Sequence, residues 1–210
     1  MHEIRLVGRG GQGVVTAGEL LGKAALLEGR WAQAIPTFGP ERRGALSSCT
    51  LRVDDEEILL KFSATRPQII VFLDPTIWYT QDVISALRPG GTLVFNTGDA
   101  PERVQQDLDA AKHGYRPRLE RHTLYTVDAT AIALSHLGRP ITNTAMMGAL
   151  AGATGLIALA SIETVLQQRF GERAQGNIAS ARAAAAGLRR LNRQDAEVGG
   201  QGARAPQAGG

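Results

Sequence analysis

The sequence predicts an α/β fold: a mostly parallel sheet with helices on both faces, an inserted β-hairpin and a C-terminal helical part. Three observations predict it. Short apolar runs at 4–7, 69–73, 92–95 and 124–127 alternate with segments of helical spacing. The connections between them are short, as in crossover units. From residue 143 to about 192 the pattern is helical throughout.

The elements follow in order. Residues 4–7 form a short strand that runs into Gly8-Arg9-Gly10-Gly11-Gln12-Gly13. Val14, Ala17, Leu21, Ala24 and Ala25 then recur at helical spacing, and Gly29 stands where a left-handed C-terminal cap belongs. Residues 31–35 make a second strand, closed by Pro36. Runs 46–53 and 58–62 flank the acidic turn Asp54-Asp55-Glu56-Glu57, which predicts an antiparallel hairpin. The continuous apolar run 69–73 suits a strand buried on both faces and ends at Asp74-Pro75. Residues 77–87 read as a helix, and Pro89-Gly90-Gly91 turn the chain into strand 92–95. A polar helix around 101–112, strand 124–127 and a helix from Asp128 complete the alternation.

With 210 residues, 43% of them hydrophobic, the chain has material for one globular domain, read as 1–193. Residues 194–210 are rich in Gly, Ala and Gln and read as a flexible tail. Residues 182–210 hold five arginines against Asp195 and Glu197, which accounts for the whole net charge of +3. Residues 1–181 carry 18 basic and 18 acidic groups. The basicity therefore lies in a C-terminal helix and tail rather than in a groove for nucleic acid. The uncharged stretch 140–162 is built mostly of small residues with Asn143, Thr144, Thr154 and Ser161, too polar for a membrane span. It reads as a buried helix, a turn at Gly155 and a new helix. Gly148 and Gly152, four apart, allow close helix packing. The same lack of charge also suggests surfaces reserved for partner chains. The amino terminus lacks the pattern of a secretory signal, so the expected compartment is the cytoplasm.

Gly8, Gly10 and Gly13 have dinucleotide-binding spacing between a strand and a helix, where helix-start amides face an anion. A nicotinamide site also wants an acidic residue about 20 positions on. The second strand supplies none, and Glu28 precedes it. The turn therefore reads as close strand–helix packing, or as a seat for another phosphate or a partner. Phe38-Gly39-Pro40-Glu41-Arg42-Arg43-Gly44 follows the second strand. Its adjacent arginines suit an anionic ligand or the carboxylates of another subunit, against the plain reading of a solvated loop. Cys49 alone excludes a disulfide framework or an iron–sulfur cluster held by this chain, and reads as a small half-buried strand residue. His2, His113, His122 and His136 show no metal-ligand spacing. Gly98-Asp99 begins a thiamine diphosphate pattern, but Ala100 follows and no Asn-Asn comes after. No catalytic set is complete.

Four segments together resemble one family: GRGGQGVVTAGELLGKAA at 8–25, FGPERRG at 38–44, NTAMMGALAG at 143–152 and IETVLQQRFGERAQGNIASA at 162–181. They are similar to the gamma subunit, or gamma domain, of 2-oxoacid:acceptor oxidoreductases of the pyruvate:ferredoxin type, over roughly residues 3–190. The resemblance implies a Rossmann-like gamma domain in a complex with alpha, beta and ferredoxin-like delta subunits, and in some members a flavin subunit. It implies oxidative decarboxylation of a 2-oxoacid with coenzyme A, giving acyl-CoA and CO2. Thiamine diphosphate with Mg2+ and [4Fe-4S] clusters would be held elsewhere in that complex. This chain would bind none of them alone, and would serve assembly and the coenzyme A side. Pyruvate is the first substrate expectation, phenylglyoxylate or another 2-oxoacid the second; the electron acceptor is ferredoxin or NAD. The site residues carried forward are Gly8, Arg9, Gly10, Gly11, Gln12, Gly13, Arg42 and Arg43, on the expectation that the first two strands are parallel neighbours whose loops share one edge. Two other readings stand beside this one: a stand-alone nicotinamide or flavin oxidoreductase on the same fold, and a scaffold outside the ligand path. The tail and the Gly44-Ala45 end of the second motif depart from the family pattern.

Overall fold

The structure is a computed structural model that describes residues 1–38, 44–59, 66–80, 82–110 and 122–191, apart from the side chain of Phe38. The expected tail at 194–210 lies outside them. The chain runs β1 (His2–Arg9), α1 (Val14–Leu27), β2 (Trp31–Phe38), β3 (Leu46–Asp54), β4 (Ile69–Phe72) and α2 (Ile77–Thr80). It continues through β5 (Thr92–Asn96), α3 (Pro101–Ala110), β6 (Thr123–Val127), α4 (Ala129–Leu137), α5 (Asn143–Thr154), α6 (Leu159–Phe170), α7 (Ala174–Ala186) and β7 (Arg189–Arg190). Among the described residues these strands make one sheet in the order β2-β3-β1-β4-β5-β6-β7. Strands β1, β4, β5 and β6 are parallel, while β3 runs antiparallel to both β1 and β2.

The two faces are covered differently. On one, Ile4, Leu6, Cys49, Leu51 and Val71 meet α1, α5, α6 and α7 in the larger core. On the other, Val7, Ile70, Phe72, Leu93 and Phe95 meet α2, α3 and the 3-10 turn Ile84–Ala86. Phe72 and Phe95 stack there with centroids 4.6 Å apart, and Trp78 meets Phe95 edge-on at 6.2 Å. A row of polar side chains crosses the sheet on this second face. Arg52 stands opposite Glu3 on one side and Gln33 on the other. Its Nε donates to Glu3 Oε2 at 3.1 Å and its Nη1 to Gln33 Oε1 at 3.2 Å.

Several expectations need correction. Run 46–53 does not pair with 58–62. Both edges of β3 are taken, by β2 and by β1, so the antiparallel hairpin is β2–β3; residues 58 and 59 are irregular, and 60–62 lie outside the described residues. The acids of the intervening turn are held by cations: Asp54 by the Met1 ammonium at 2.9 Å and Asp55 by Arg30 at 3.0 Å. Strand β2 does not stop at Pro36 but carries it opposite Cys49; an edge strand tolerates a residue without an N–H. Run 77–87 is a single helical turn and a 3-10 turn rather than one helix. The C-terminal part is not helical to its end, because Arg189 and Arg190 add an antiparallel strand to β6.

The first half of the uncharged stretch, 142–151, packs into the chain's own core, while 152–161 is mostly exposed or half-buried. Every residue from Asn143 to Ala151 is buried, and Gly155 ends α5 with φ 62°. Gly148 brings α5 onto α7: a Cβ there would overlap the carbonyl of Ala181. Gly148→Ala is therefore expected to destabilise by about 2–3 kcal/mol despite the better helix propensity of alanine. At Gly22 an added Cβ would lie 3.6 Å from Leu51 Cδ1 and 3.8 Å from Ala32 Cβ, so Gly22→Ala should stabilise by about 0.5–1 kcal/mol. Thermal unfolding of the pair checks both signs.

Candidate functional site

The crossover from β1 leads through α1 toward β2 and β3, while β4 continues the sheet on the other side of β1. The order thus reverses between β1 and β4, and the crevice beyond their carboxyl ends is where ligands collect in such sheets. The glycine turn fills one side of it. A Cβ on Gly8 would lie 2.5 Å from Val14 Cγ2 and 2.9 Å from Gln12 Oε1. Gly11 and Gly13 have φ 96° and 76°, which side chains resist.

Arg9 and Gln12 point across the crevice at Asp74, just past β4. Gln12 Nε2 donates to Asp74 Oδ2 at 2.8 Å, and Arg9 Nε lies 3.4 Å from the same oxygen. Arg9 also donates to Thr76 Oγ1 at 2.9 Å and to the Gly44 carbonyl at 3.1 Å. The Thr76 hydroxyl and amide both donate to Asp74 Oδ1, at 2.5 and 2.8 Å. Burial of Asp74 opposes its charge, yet the Thr76, Gln12 and Arg9 donors outweigh it and hold the carboxyl below its usual value. These residues clamp the two halves of the sheet together at the switch point.

The turn's amides divide into two groups. The Arg9 amide donates to Gln12 Oε1, that of Gly10 to the Ala45 carbonyl and that of Gln12 to the Arg9 carbonyl. The helical ladder starts with Ala17 N–H to the Gly13 carbonyl, so the amides of Val14, Val15 and Thr16 precede it, with no side-chain cap at Gly13. Helix α5 begins beside them: a Cβ on Gly13 would lie 2.5 Å from Asn143 Nδ2. Neither helix has an acid in its first turn. Two positive helix ends converge with no carboxylate of their own, an arrangement able to hold an anion.

Gly8, Gly10, Gly11 and Gly13 thus line one edge, while Arg9 and Gln12 are committed to Asp74. Arg42 and Arg43 lie outside the described residues. The expectation that the first two strands are neighbours fails, since β3 stands between them. Arg9 and Phe38 nevertheless pair with Leu46 and Ser47 of β3, so both loops leave the sheet at the same edge. Sequence reasoning missed Asp74, Thr76 and Asn143 as members of the site. An acid just after a fully buried parallel strand was the available signal for the first.

Residues 3–189 match the family described as pyruvate ferredoxin/flavodoxin oxidoreductase. The chain belongs to that family, as a gamma-type subunit. It is 44% identical over 185 residues to the pyruvate/ketoisovalerate oxidoreductases common subunit gamma of Pyrococcus abyssi, covering 88% of this chain and 95% of that one. Among solved structures it resembles the pyruvate oxidoreductase subunit PORC of Thermotoga maritima, with TM-score 0.77, 32% identity and coverage of 91% and 98%. It shares the fold of part of 2-oxoglutarate:ferredoxin oxidoreductase from Magnetococcus marinus, solved with 2-oxoglutarate, coenzyme A and succinyl-CoA bound, at TM-score 0.66 and 19% identity over 88% of this chain and 30% of that one. A stand-alone nicotinamide or flavin enzyme finds no support in these comparisons. Geometry opposes it as well, because Glu28 accepts the Ala158 amide at 2.8 Å at the opposite end of the sheet.

The described residues of this oxidoreductase subunit do not fit thiamine diphosphate or an iron–sulfur cluster. Asp99 bonds Thr97 within its own turn, and Arg189 Nη2 caps the carbonyls of Gly98 and Asp99 at 2.9 and 2.7 Å. No group of three His, Cys, Asp or Glu among the described residues is placed to hold a metal. Cys49 is fully buried, not half-buried, and lies against Gly18 of α1. Burial first, then the Glu19 charge, push its thiol up to about 11.

Two outcomes follow from these environments. A lowered carboxyl stabilises fully above its unfolded pKa, near 4, and loses that contribution as pH falls through the folded value. Asp74→Asn should therefore cost about 1–2 kcal/mol at pH 7, with the gap to the parent closing in acid, as read by thermal unfolding across pH. The Cys49 thiol should stay unalkylated by iodoacetamide at pH 8 in the folded protein. Cys49→Ser should leave the iron content of the assembled complex unchanged.

Proposed function

We propose that this gamma subunit serves a coenzyme A-acylating 2-oxoacid oxidoreductase, with pyruvate as the 2-oxoacid, in the cytoplasm. In this reading the alpha, beta and ferredoxin-like delta subunits hold thiamine diphosphate, Mg2+ and the [4Fe-4S] clusters. Those groups supply decarboxylation and electron transfer. This chain performs no bond-making step of its own. It builds a rigid wall and presents the edge at 8–13 to the phosphates of coenzyme A.

The observation that carries the reading is the meeting of the α1 and α5 amino ends beyond β1, with free-standing amides at 14–16 and no acid in either first turn. The solved relative with coenzyme A bound supports the choice of anion. Arg9 does not take part, being held by Asp74 and Thr76. Arg42 and Arg43, on a loop that starts at the same edge, are assigned to docking against a partner subunit, because adjacent arginines project differently and serve one phosphate poorly.

Two variants separate these roles. The space around Gly11 is open, so Gly11→Asp adds a carboxylate beside the amides without a clash, and Asp tolerates positive φ better than most residues. A like charge near a phosphate costs about 1 kcal/mol in a solvated site, so KM for coenzyme A should rise about fivefold or more with the 2-oxoacid KM unchanged. Neutralising Arg42 and Arg43 together should lower the yield of complex and leave that KM alone. An assembled Gly11→Asp complex with unchanged KM for coenzyme A overturns the site.

A further inference from the structure

At the other end of the sheet a groove of about 500 Å³ opens at the amino ends of β4, β5 and β6. Its floor is Ile69, Thr92 and Thr123, successive neighbours across the three strands. Arg88 and Arg190 stand on its walls, and among the described residues no aspartate or glutamate lines it. Most ion-paired arginines of this chain, Arg9, Arg30, Arg52 and Arg182 among them, hold a carboxylate from elsewhere in the fold. Arg88 and Arg190 hold none, and their side chains have no hydrogen-bond partner among the described residues.

Both are set on fixed backbone. The Arg88 amide donates to the Pro67 carbonyl at 3.0 Å, and its own carbonyl accepts from Gly91 at 3.0 Å. Arg190 sits in β7 opposite Tyr125, which also lines the groove. The backbone is fixed while both exposed side chains are free to turn toward a ligand, and guanidinium groups grip a carboxylate in two-pronged fashion.

The surroundings point to a protein segment as the occupant. Leu156 lines the groove, and its carbonyl accepts from Arg30 Nη1 at 2.8 Å. Arg30 adjoins Trp31, which is 48% exposed, and the end of α1, where Leu26 and Leu27 are 55% and 52% exposed. Arg88, Arg190, Tyr125 and Leu156 inside the groove, with exposed Trp31, Leu26 and Leu27 outside it on the side of Arg30, make a surface of protein-interface composition rather than a small-anion pocket.

We propose that this groove docks a carboxylate-bearing segment of another subunit of the oxidoreductase, gripped by Arg88 and Arg190. The inference rests on the subunit reading above but uses the opposite end of the sheet from the coenzyme A edge. Its test is the co-expressed complex carrying a tag on a partner subunit. Arg88→Glu with Arg190→Glu should weaken retention of this chain at least tenfold and flatten its dependence on salt. Arg139→Glu, at an exposed arginine outside the groove, should behave like the parent, and all variants should unfold at the parent's temperature. KM for coenzyme A should not move in whatever assembles.

A double variant retained as tightly as the parent overturns the proposal. So does a coenzyme A effect without loss of retention. If deleting residues 192–210 tightens retention of the parent but not of the double variant, the chain's own tail occupies the groove and the proposal fails. Failure of the subunit reading itself would show differently, as a parent chain that recovers no partner at all, and would overturn both.

Discussion

Backbone packed where side chains would not fit holds this molecule together. Gly8, Gly13 and Gly18 lie along one path from the end of β1 into α1, and a Cβ on any of them would strike a neighbour: Val14, Asn143 and Cys49 respectively. Without those atoms α1 settles flush on β1 and β3, and its first turn meets α5. Gly148 then sets α5 onto α7 in the same way. Close approach of this kind increases dispersion contact and fixes helix positions to within tenths of an ångström, because a packed interior has no slack to absorb displacement. The crevice at the carboxyl ends of β1 and β4 takes its shape from that seating.

A second constraint is electrostatic. On the second face of the antiparallel edge β2-β3-β1 the strands carry Gln33, Arg52 and Glu3 in one cross-strand row. The Arg52 and Glu3 side chains are 2% and 5% exposed. Such a pair adds little net stability over an apolar substitute, since removing both charges from water costs nearly what their attraction returns. A slip of one residue would bury the charges without each other. The row therefore selects the register, which the alternating apolar pattern alone specifies less firmly.

The two ends of the sheet have different chemistry. At the carboxyl end, donors and acceptors among the described residues are matched within the chain: Arg9, Gln12, Asp74 and Thr76 form a closed set, with the helix-start amides of α1 outside it. At the amino end, cations are left over and large apolar side chains stay in solvent. One end of the sheet is thus closed on itself by ion pairs and hydrogen bonds, and the other is left open.

The parallel strands, the glycine turn and the family were legible in the sequence because each rests on local rules. Buried parallel strands read as unbroken apolar runs, glycine spacing follows from the geometry of a strand-to-helix turn, and the family follows from its motifs. The pairing of 46–53 was not legible: the acidic turn at 54–57 looked like a hairpin loop, but its carboxylates answer the Met1 ammonium and Arg30, and the strand's two edges belong to β2 and β1. The uncharged stretch 140–162 carried no sign of whether it faced a partner or the chain's own core, because absence of charge is the same signal for both. Arg9 looked free to bind an anion, and only the fold brought Asp74 to it across 65 residues of sequence. Sequence determined what each segment can become; tertiary structure decided which charges meet, since an ion pair between distant positions leaves no periodicity to read.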